Sequence, residues 1–323
     1  MNYILLIVGF FLLIKGADIF VDGAAAIAKK VGIPAVIVGL TIVSLGTSAP
    51  ELAVSTISAI KGNNGIALGN VLGSNLFNTL VVLGATAVAA PLFIHKKKVK
   101  KDFLICFLVS MLLFLLTFGN ILTSTTGMLS RVDGCILILI CIAYIILLIY
   151  DTKKSKQEEV DKENSDIVEI KIVNKVLSII IGIVGIVAGG QFVVNSATNI
   201  AYSIGMSEKL VGLTIVAMGT SLPELVTSVI AVLKGENDIA LGNVLGSNIF
   251  NILLILGVSS TISPIKVPAI LAVDFIILIL VTLFLGIIIF ATSKKEVKKL
   301  SKIEGIILIA TYIAYTIYII MRN

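Results

Sequence analysis

The chain has 323 residues, of which 58% are hydrophobic and only 14% are charged, and its mean hydropathy is +1.11. Soluble globular domains carry charge on roughly a quarter of their residues, so this composition excludes a soluble protein and predicts an integral membrane protein. The net charge of +6 does not indicate a nucleic-acid partner, because the basic residues are confined mainly to loops between apolar runs.

Apolar runs of about 20 residues, long enough to cross a bilayer, follow one another along the chain. No Lys or Arg precedes the first run and no small-residue cleavage site follows it, so we interpret it as a span rather than a removable signal peptide. The sequence predicts an all-α integral membrane protein with about ten transmembrane helices. The predicted spans are 3–27, 34–60, 66–91, 103–120, 133–150, 173–200, 208–233, 239–263, 268–292 and 303–321.

Basic residues cluster after odd-numbered spans, whereas the opposite loops hold them singly. Cytoplasmic loops are enriched in Lys and Arg, so we expect both termini to be extracellular and the lysine-rich loops to be cytoplasmic, in the plasma membrane. His95 borders one such loop, where we expect a solvated side chain near anionic lipid and no chemistry. The clustered residues are Lys29, Lys30, Lys96, Lys97, Lys98, Lys100, Lys101, Lys294, Lys295, Lys298, Lys299 and Lys302.

Other reactive or charged groups within the spans have structural interpretations. Cys106, Cys135 and Cys141 show no metal-type spacing, and we interpret them as thiols in the core. Lys15 and Asp18 are three residues apart on one helix, a spacing that lets the two side chains pair.

One long segment occurs twice. GLTIVSLGTSAPEL…IALGNVLGSNLFN begins at Gly39 and returns as GLTIVAMGTSLPEL…IALGNVLGSNIFN at Gly212, and similarity at the same offset extends upstream. Between the copies, DTKKSKQEEVDKENSDIVEI is typical of a solvated linker. We therefore predict a first transmembrane repeat over 1–150, a cytoplasmic charged linker over 151–171 and a second repeat over 172–323.

The two repeats have opposite orientations in the membrane, because each contains about five spans, an odd number. Equivalent residues are then related by a pseudo-twofold axis in the membrane plane. Elements near the middle of the bilayer in one repeat meet their twins from the other repeat. Glu51 and Glu224, at matching places in the two copies, can face each other.

Each glutamate follows a residue that breaks a helix. Pro50 has no amide hydrogen for the carbonyl of Gly46, so the helix should kink or end there, and Pro223 repeats the pattern. Free carbonyls at membrane depth are tolerated where they line a cavity, and beside an acid they make a cation site. A charge within the membrane is costly unless it is paired, hydrated or bound to a cation, so we interpret both glutamates as functional.

Further oxygen ligands accompany the glutamates in both copies. Thr47 and Thr220 lie four residues before them, and the second motif element adds a serine and an asparagine four apart in each copy, beside glycines that allow close helix approach. Carboxylate, amide, hydroxyl and carbonyl oxygens without His or Cys are a hard-cation ligand set. Ca²⁺, which takes about six to eight oxygens, fits it better than Mg²⁺, and Na⁺ can use the same oxygens. The second-element residues are Ser74, Asn78, Ser247 and Asn251, with Gly69 and Gly73; we interpret Asn70, Asn75, Asn243 and Asn248 as packing residues.

An empty pair of ionised carboxylates attracts replacement cations, because the two charges repel each other. This is the physical basis of obligatory exchange, with Na⁺ or protons as the returning species. A channel would more naturally repeat around a central pore, and a scaffold would not need paired acids. The chain is not expected to be an enzyme, since it shows no nucleophile–base pair, soluble catalytic domain or transition-metal cluster.

The paired motifs GTSAPE with GNVLGSNLFN, and GTSLPE with GNVLGSNIFN, closely resemble the two alpha-repeats of sodium/calcium exchangers in the Ca²⁺:cation antiporter superfamily, as found in prokaryotic members. The resemblance implies an electrogenic Na⁺/Ca²⁺ antiporter working by alternating access, in which two long helices, the first of each half, slide across the rest. Ca²⁺ and Na⁺ would be the transported ions, with the lipid bilayer as surroundings and no cofactor, nucleic acid or protein partner. A Ca²⁺/H⁺ antiporter using the same acids is the alternative.

Carried over residue by residue, the resemblance makes Glu51 and Glu224 shared acidic ligands. It implies that Thr47 and Thr220 supply carbonyl oxygens and that serine oxygens bind Na⁺. Some relatives have an aspartate where this chain has Asn251, so potassium co-transport is not expected. The remaining implied ligands are Ser48, Ser221, Ser74, Ser247, Asn78 and Asn251, with Ser44 and Ala217 contributing carbonyls.

Overall fold

The structure is a computed structural model that describes residues 2–119, 127–160, 172–205, 217–292 and 295–322, without the side chains of 154–160, 172 and 217. Over these residues, eight helices are long and apolar enough to span a membrane, and one bent pair makes a ninth span. The predicted all-α membrane fold is confirmed. The helices are α1 (Asn2–Val31), α2 (Ala35–Thr47), α3 (Ala49–Ile60), α4 (Asn64–Ala89), α5 (Lys96–Phe118), α6 (Arg131–Val160), α7 (Ile172–Ser203), α8 (Ala217–Gly219), α9 (Leu222–Leu233), α10 (Asn237–Ile262), α11 (Ala269–Ala291) and α12 (Lys302–Arg322).

Of the predicted span 208–233, the part before residue 217 lies outside the described residues. The same is true of linker residues 161–171, whereas the segment up to Val160 continues α6 as a helix. The division of the chain at 150 and 171 stays a prediction.

Two short antiparallel ribbons show which loops share a face of the bundle. β1 (Leu92–His95), between α4 and α5, pairs with β4 (Val297–Leu300), between α11 and α12. β2 (Gly127–Leu129), between α5 and α6, pairs with β3 (Ile265–Val267), between α10 and α11. Equivalent loops of the two halves thus lie on opposite faces, as inverted repeats require. We call the face that carries β1 and β4 the lysine-rich face.

On the lysine-rich face, His95 and Lys98 tie the start of α10 to the β1–β4 ribbon and to α5. Asp238, at the start of α10, lies 2.8 Å from Lys98 Nζ and 3.5 Å from His95 Nδ1. The His95 side chain is about half exposed, as expected, but its acidic neighbour is distant in sequence and was not predicted.

The three cysteines do not share one environment. Cys106 and Cys141 are buried, as predicted. The prediction is wrong for Cys135, which is exposed on α6, with its Sγ 3.9 Å from Thr261 Oγ1. Its position on the helix turns it away from the protein core.

The first helix of each half packs against its twin through glycines. A Cβ atom added to Gly16 of α1 would lie 2.7 Å from the backbone nitrogen of Ile186 and 2.9 Å from the carbonyl oxygen of Gly182, both in α7. At Gly189, the twin of Gly16, it would lie 2.6 Å from the backbone nitrogen of Leu13. Such distances leave no room for a side chain, so the two long helices form one closely packed pair.

Close approach also joins the two repeats near their motifs. A Cβ atom at Gly242 of α10 would lie 2.5 Å from the carbonyl oxygen of Val36 in α2, and at Gly246 it would lie 2.6 Å from Ser44 Oγ. At Gly69 and Gly73, the twins in α4, no described atom lies within 4 Å. The close helix approach predicted at Gly69 and Gly73 is therefore not seen among the described residues, whereas their twins Gly242 and Gly246 make it.

Gly16→Ala is expected to destabilise the protein by about 1–3 kcal/mol, because the added methyl group meets backbone atoms that cannot move aside independently. Thermal unfolding followed by circular dichroism in detergent measures the change. Gly190→Ala is the control, since its added Cβ would meet only Pro223 Cγ at 3.6 Å and Cδ at 3.9 Å, ordinary contact distances. Equal midpoints for both variants would contradict this account of the packing.

Candidate functional site

Both copies of the GTSxPE motif break a helix. α2 and α3 are bent by 50° with respect to each other. Pro50 cannot donate to the carbonyl of Gly46 but fits the first turn of a new helix, which explains the break at this point. Ser48, at the break, has φ −84° and ψ 9°, and Ser221 separates α8 from α9 with φ −92° and ψ 8°. The predicted break is confirmed in both halves.

The first turn after each break places a glutamate inside the protein. Glu51 in α3 and Glu224 in α9 are both 0% exposed. The positive end of a helix dipole stabilises negative charge at this position. The two carboxylates are near enough to interact electrostatically, so repulsion between them favours a bound cation.

A serine of each repeat hydrogen-bonds to the glutamate of the other repeat. Ser48 Oγ donates to Glu224 Oε1 at 2.8 Å. Ser221 Oγ lies 3.2 Å from Glu51 Oε1 in the equivalent contact. This crossed arrangement follows from the inverted symmetry, and it joins the two helix breaks into one site.

The second motif element adds two more hydroxyl groups to this site. Ser247 Oγ in α10 donates to Glu224 Oε1 at 3.4 Å, and Ser74 Oγ in α4 lies 3.0 Å from Ser221 Oγ. All four serines involved are buried. Six of the predicted site residues therefore form two hydrogen-bonded groups of three, one around each carboxylate, and we call the six together the carboxylate cluster. Its members are Ser48, Glu51, Ser74, Ser221, Glu224 and Ser247.

The predicted threonines connect the carboxylate cluster to an asparagine of the opposite repeat. Thr47 Oγ1 donates to Asn243 Oδ1 at 3.1 Å. The amide nitrogen of Asn243 in turn donates to the carbonyl oxygen of Glu224 at 3.3 Å and to Ser228 Oγ at 2.9 Å. Asn243 thus holds the backbone of Glu224 in place.

The twin of this network has the same geometry. Thr220 Oγ1 donates to Asn70 Oδ1 at 3.2 Å. Asn70 Nδ2 donates to the carbonyl oxygen of Glu51 at 3.3 Å and to Ser55 Oγ at 2.9 Å. Asn70 and Asn243 tie helices together, as expected, but they also position the glutamates.

Neither asparagine was predicted to belong to the site. A signal was available, because Asn70, Ser74 and Asn78 follow one another at intervals of four residues and so lie on one helix face. Their serine partners, Ser55 and Ser228, lie four residues after the glutamates. They carry the same helix-spacing signal, and they were also not predicted.

The predicted asparagines Asn78 and Asn251 are fully buried, and each begins a π-helical segment. Such segments disturb the regular helix ladder and occur frequently at functional sites. Asn251 Nδ2 donates to Asn75 Oδ1 at 2.9 Å, and Asn75 Nδ2 donates to the carbonyl oxygen of Asn248 at 3.2 Å. Asn75 and Asn248 therefore bridge the two repeats, a contact in line with the packing role predicted for them.

Several buried polar atoms of the site have no hydrogen-bond partner among the described residues. They are one carboxylate oxygen each of Glu51 and Glu224, both amide atoms of Asn78, and Oδ1 of Asn251. A buried polar atom without a partner costs about 1–3 kcal/mol, and more if it is charged. Four of these five atoms are oxygens, the ligand type that Ca²⁺ and Na⁺ require.

The structure does not bring Ser44 into the carboxylate cluster. Its hydroxyl donates to the carbonyl of Leu40 at 2.8 Å. Its carbonyl already accepts the Ser48 amide at 3.0 Å and lies 3.3 Å from Thr47 Oγ1. Ala217 begins the short helix α8, and its side chain is not described.

The arrangement suits a hard cation and offers little to a transition metal. No group of three or more His, Cys, Asp or Glu residues that could hold a metal ion is found in the described parts of the chain. Two carboxylates balance the charge of one divalent ion, and hydroxyl and amide oxygens can complete its coordination. Binding of Ca²⁺ or Na⁺ at a buried site is the chemistry that this set of groups supports.

Ser48→Ala and Ser221→Ala are each expected to weaken cation affinity by about 10- to 100-fold, because each removes a hydrogen bond to a buried carboxylate, worth about 1.5–3 kcal/mol. The concentration of Ca²⁺ that gives half-maximal uptake measures the effect. Ser110→Ala is the control, since its buried hydroxyl donates only to the carbonyl of Cys106 in its own helix. An unchanged half-maximal concentration in both site variants would contradict a role for the crossed serines.

Inverted repeats that meet at a buried oxygen site define a secondary transporter of cations. The model of the sodium/calcium exchanger protein family matches residues 1–150 and 174–321. The chain belongs to this family, whose members exchange Ca²⁺ for another cation across membranes.

Individual relatives agree with this assignment. Sodium/calcium exchanger MaX1 of Methanosarcina acetivorans is 32% identical in an alignment 303 residues long that covers 85% of each chain. Inner membrane protein YrbG of Escherichia coli is 32% identical over 251 residues, 76% of this chain and 75% of that protein. The solved structure of the sodium/calcium exchanger from Methanococcus jannaschii superposes with a TM-score of 0.81 at 29% identity, covering 97% of this chain and 96% of that one.

Proposed function

We propose that the chain exchanges Na⁺ for Ca²⁺ by alternating access and that the carboxylate cluster is the ion site. The observation that carries this proposal is the crossed pair of contacts between Ser48 and Glu224 and between Ser221 and Glu51. Each helix break is bonded to the acid of the other repeat, so a movement of one repeat against the other changes the site itself. Such coupling of site geometry to conformation is what an exchanger needs.

In the proposed site, Glu51 and Glu224 share the Ca²⁺ ion, and Thr47 and Thr220 add carbonyl oxygens. Na⁺ ions use the serine oxygens of the cluster and the carbonyl oxygens of Ser44 and Ala217, and Asn78 and Asn251 close the centre. Residues 51 and 224 are the only acids in the set, so a bound Ca²⁺ is neutralised. Three Na⁺ ions exchanged for one Ca²⁺ then carry net charge, which makes transport sensitive to voltage. Asn251 is uncharged, so we assign no potassium co-transport.

We place both termini outside the cell and the lysine-rich face in the cytoplasm of a plasma-membrane protein. Support comes from the β1–β4 ribbon, which brings the lysine-rich loops after the third and ninth predicted spans to one face. A charged linker following α6 belongs to the same side. No cofactor, protein partner or enzymatic activity is part of this proposal.

Calcium-45 uptake into proteoliposomes that contain the purified full-length chain tests the proposed counter-ion. Vesicles loaded with Na⁺ and diluted into Na⁺-free buffer with a protonophore should accumulate Ca²⁺, and a voltage-clamping ionophore should change the rate. Vesicles loaded with choline are the control and should remain inactive.

A Ca²⁺/H⁺ antiporter is the second candidate, because the unpartnered carboxylate oxygens of Glu51 and Glu224 can accept protons as well as Na⁺. The same vesicles decide between the candidates. Uptake that follows only a pH gradient, and that the protonophore abolishes, would replace Na⁺ by H⁺ as the counter-ion.

A further inference from the structure

Lys234, in the turn after α9, is bound to α1 by three short contacts. Its Nζ lies 2.6 Å from Asp18 Oδ1, 2.7 Å from Asp22 Oδ1 and 2.9 Å from the carbonyl oxygen of Asp18. An ammonium group has three N–H donors, so α1 alone satisfies this lysine. Lys15 Nζ, 3.8 Å from Asp18 Oδ2, confirms the predicted pairing of these two residues and extends the cluster.

These ion pairs lie on the lysine-rich face. The turn leads directly into α10, whose Asp238 bonds to Lys98 beside the β1–β4 ribbon. Only 25% of the Lys234 side chain is exposed, so solvent screens its pairs less than those of a fully exposed lysine. Burial acts to lower the pKa of Lys234, but its hydrogen bonds to Asp18 and Asp22 outweigh this effect and raise it.

Among the residues that the structure describes, the related position in the other repeat has no counterpart of this ion-pair cluster. Gln191 and Asn195 replace the two aspartates, and Gln191 Nε2 donates to Asn195 Oδ1 at 2.8 Å within α7. The lysine is kept as Lys61, but it makes no ion pair with any residue that the structure describes. The offset that relates Gly39 to Gly212 relates Asp18 to Gln191, Asp22 to Asn195 and Lys61 to Lys234.

Helix packing shows the same asymmetry. α1 packs along α9, whereas the related helices α7 and α3, both described throughout, make at most marginal contact. The long helix of the first half is therefore closed against the second repeat on the lysine-rich face. Between the described helices α7 and α3, the equivalent closure on the opposite face is not formed.

We propose that Asp18, Asp22 and Lys234 form an electrostatic latch that holds the exchanger closed on its lysine-rich face and makes the conformation open to the opposite face its resting state. This inference rests on the proposed alternating-access function. Inverted repeats change access when the two halves exchange conformations. After that exchange α1 and α9 would make at most marginal contact, as α7 and α3 do now, so the ion pairs of Lys234 would be broken.

The opposite closed state gains no equivalent ion pairs. There, α7 would pack along α3 and bring the neutral amides of Gln191 and Asn195 to Lys61. Hydrogen bonds from one lysine to neutral amides replace two ion pairs, so the two end states are unequal in energy. Each partly exposed ion pair contributes a few-fold preference, so the pairs together shift the equilibrium roughly tenfold.

Distances between spin labels measured by pulsed electron paramagnetic resonance test the latch in the full-length chain. Labels at Lys29→Cys in α1 and Lys302→Cys in α12, both on the lysine-rich face, report the position of α1. The background replaces the three native cysteines and is first checked for calcium uptake. Lys234→Gln should increase the ratio of the open to the closed population on this face roughly tenfold, while the twin variant Lys61→Gln should leave it unchanged.

A transplanted latch provides the second variant, which does not depend on removing a native contact. Gln191→Asp with Asn195→Asp should build an ion-pair cluster around Lys61 and raise the population open to the lysine-rich face. Equal distance distributions for Lys234→Gln and Lys61→Gln, or no response to the transplanted pair, would overturn the latch. Calcium uptake by the wild-type chain, measured in parallel, separates the two proposals: populations that respond as expected without Na⁺-driven uptake support the latch and count against the proposed counter-ion.

Discussion

Glu51→Gln is expected to abolish calcium transport while leaving a folded protein, and Glu224→Gln is expected to do the same. Each substitution keeps the shape of the side chain but removes one of the two charges that balance a divalent ion. Loss of one partner from a buried charge pair costs about 3–5 kcal/mol, which corresponds to a fall in Ca²⁺ affinity of more than about 100-fold. Calcium-45 uptake into proteoliposomes measures the loss.

Glu296→Gln is the matched control for both variants. Glu296 lies on the lysine-rich face, pairs with Lys97 at 3.1 Å, and has a side chain that is 60% exposed. Its replacement removes a carboxylate without touching the carboxylate cluster, so uptake should stay near the wild-type rate. A monodisperse gel-filtration peak for all three variants excludes misfolding as the cause. Near-normal uptake by both site variants would refute the assignment of the ion site.

Acidification is expected to inhibit exchange, because protons and cations compete for the same two carboxylates. Protonation of a buried carboxylate removes the charge that holds Ca²⁺, so the rate should fall as the pH falls and recover as it rises. Where one proton competes, the apparent Ca²⁺ affinity falls about tenfold per pH unit, and where two compete it falls about 100-fold. Uptake measured as a function of Ca²⁺ concentration at several pH values gives this dependence.

Competition between protons and Ca²⁺ can be distinguished from loss of activity through unfolding at low pH. Raising the Ca²⁺ concentration should restore the maximal rate at low pH, because the ion displaces the protons. Inhibition that no concentration of Ca²⁺ relieves, or a rate that does not change between neutral and acidic pH, would contradict it.

The central features of the site could be predicted from the sequence because they depend on strong local rules. A proline in a helix interior breaks or kinks the helix, as Pro50 and Pro223 do here. An acid beside such a break within a membrane needs a partner. The internal duplication and the odd number of spans then bring Glu51 and Glu224 together. The inverted orientation of the two repeats was enough to predict that the two glutamates meet.

Other features depend on contacts between residues that are distant in the chain. The β1–β4 ribbon pairs the loop between α4 and α5 with the loop between α11 and α12. Strands of four residues are too short for an alternating pattern in the sequence to predict them. Asn70 and Asn243 carry a helix-spacing signal, but whether an amide packs or positions a neighbour depends on what lies opposite. Their hydrogen bonds to the backbone of the glutamates are visible only in the fold.

The departures from symmetry were the least predictable. Nothing in the sequence of α1 indicates that Asp18 and Asp22 pair with a residue of the second repeat. Lys234 does not stand out either, because the first repeat has a lysine, Lys61, at the equivalent position. Their importance arises because the structure is closed on one face, a property of the conformation that a symmetric repeat does not reveal. Comparison of the two halves shows that Gln191 and Asn195 replace the aspartates, but only the fold shows that this replacement removes the ion pairs with a lysine.

Anomalous scattering from crystals soaked in strontium locates the cation site, since Sr²⁺ is a heavy substitute for Ca²⁺ that binds the same oxygen ligands. We expect a strong peak within bonding distance of carboxylate oxygens from both Glu51 and Glu224, and no such peak in crystals of Glu51→Gln. A peak that contacts only one glutamate, or no peak between the two helix breaks, would contradict a cation site shared by the two repeats.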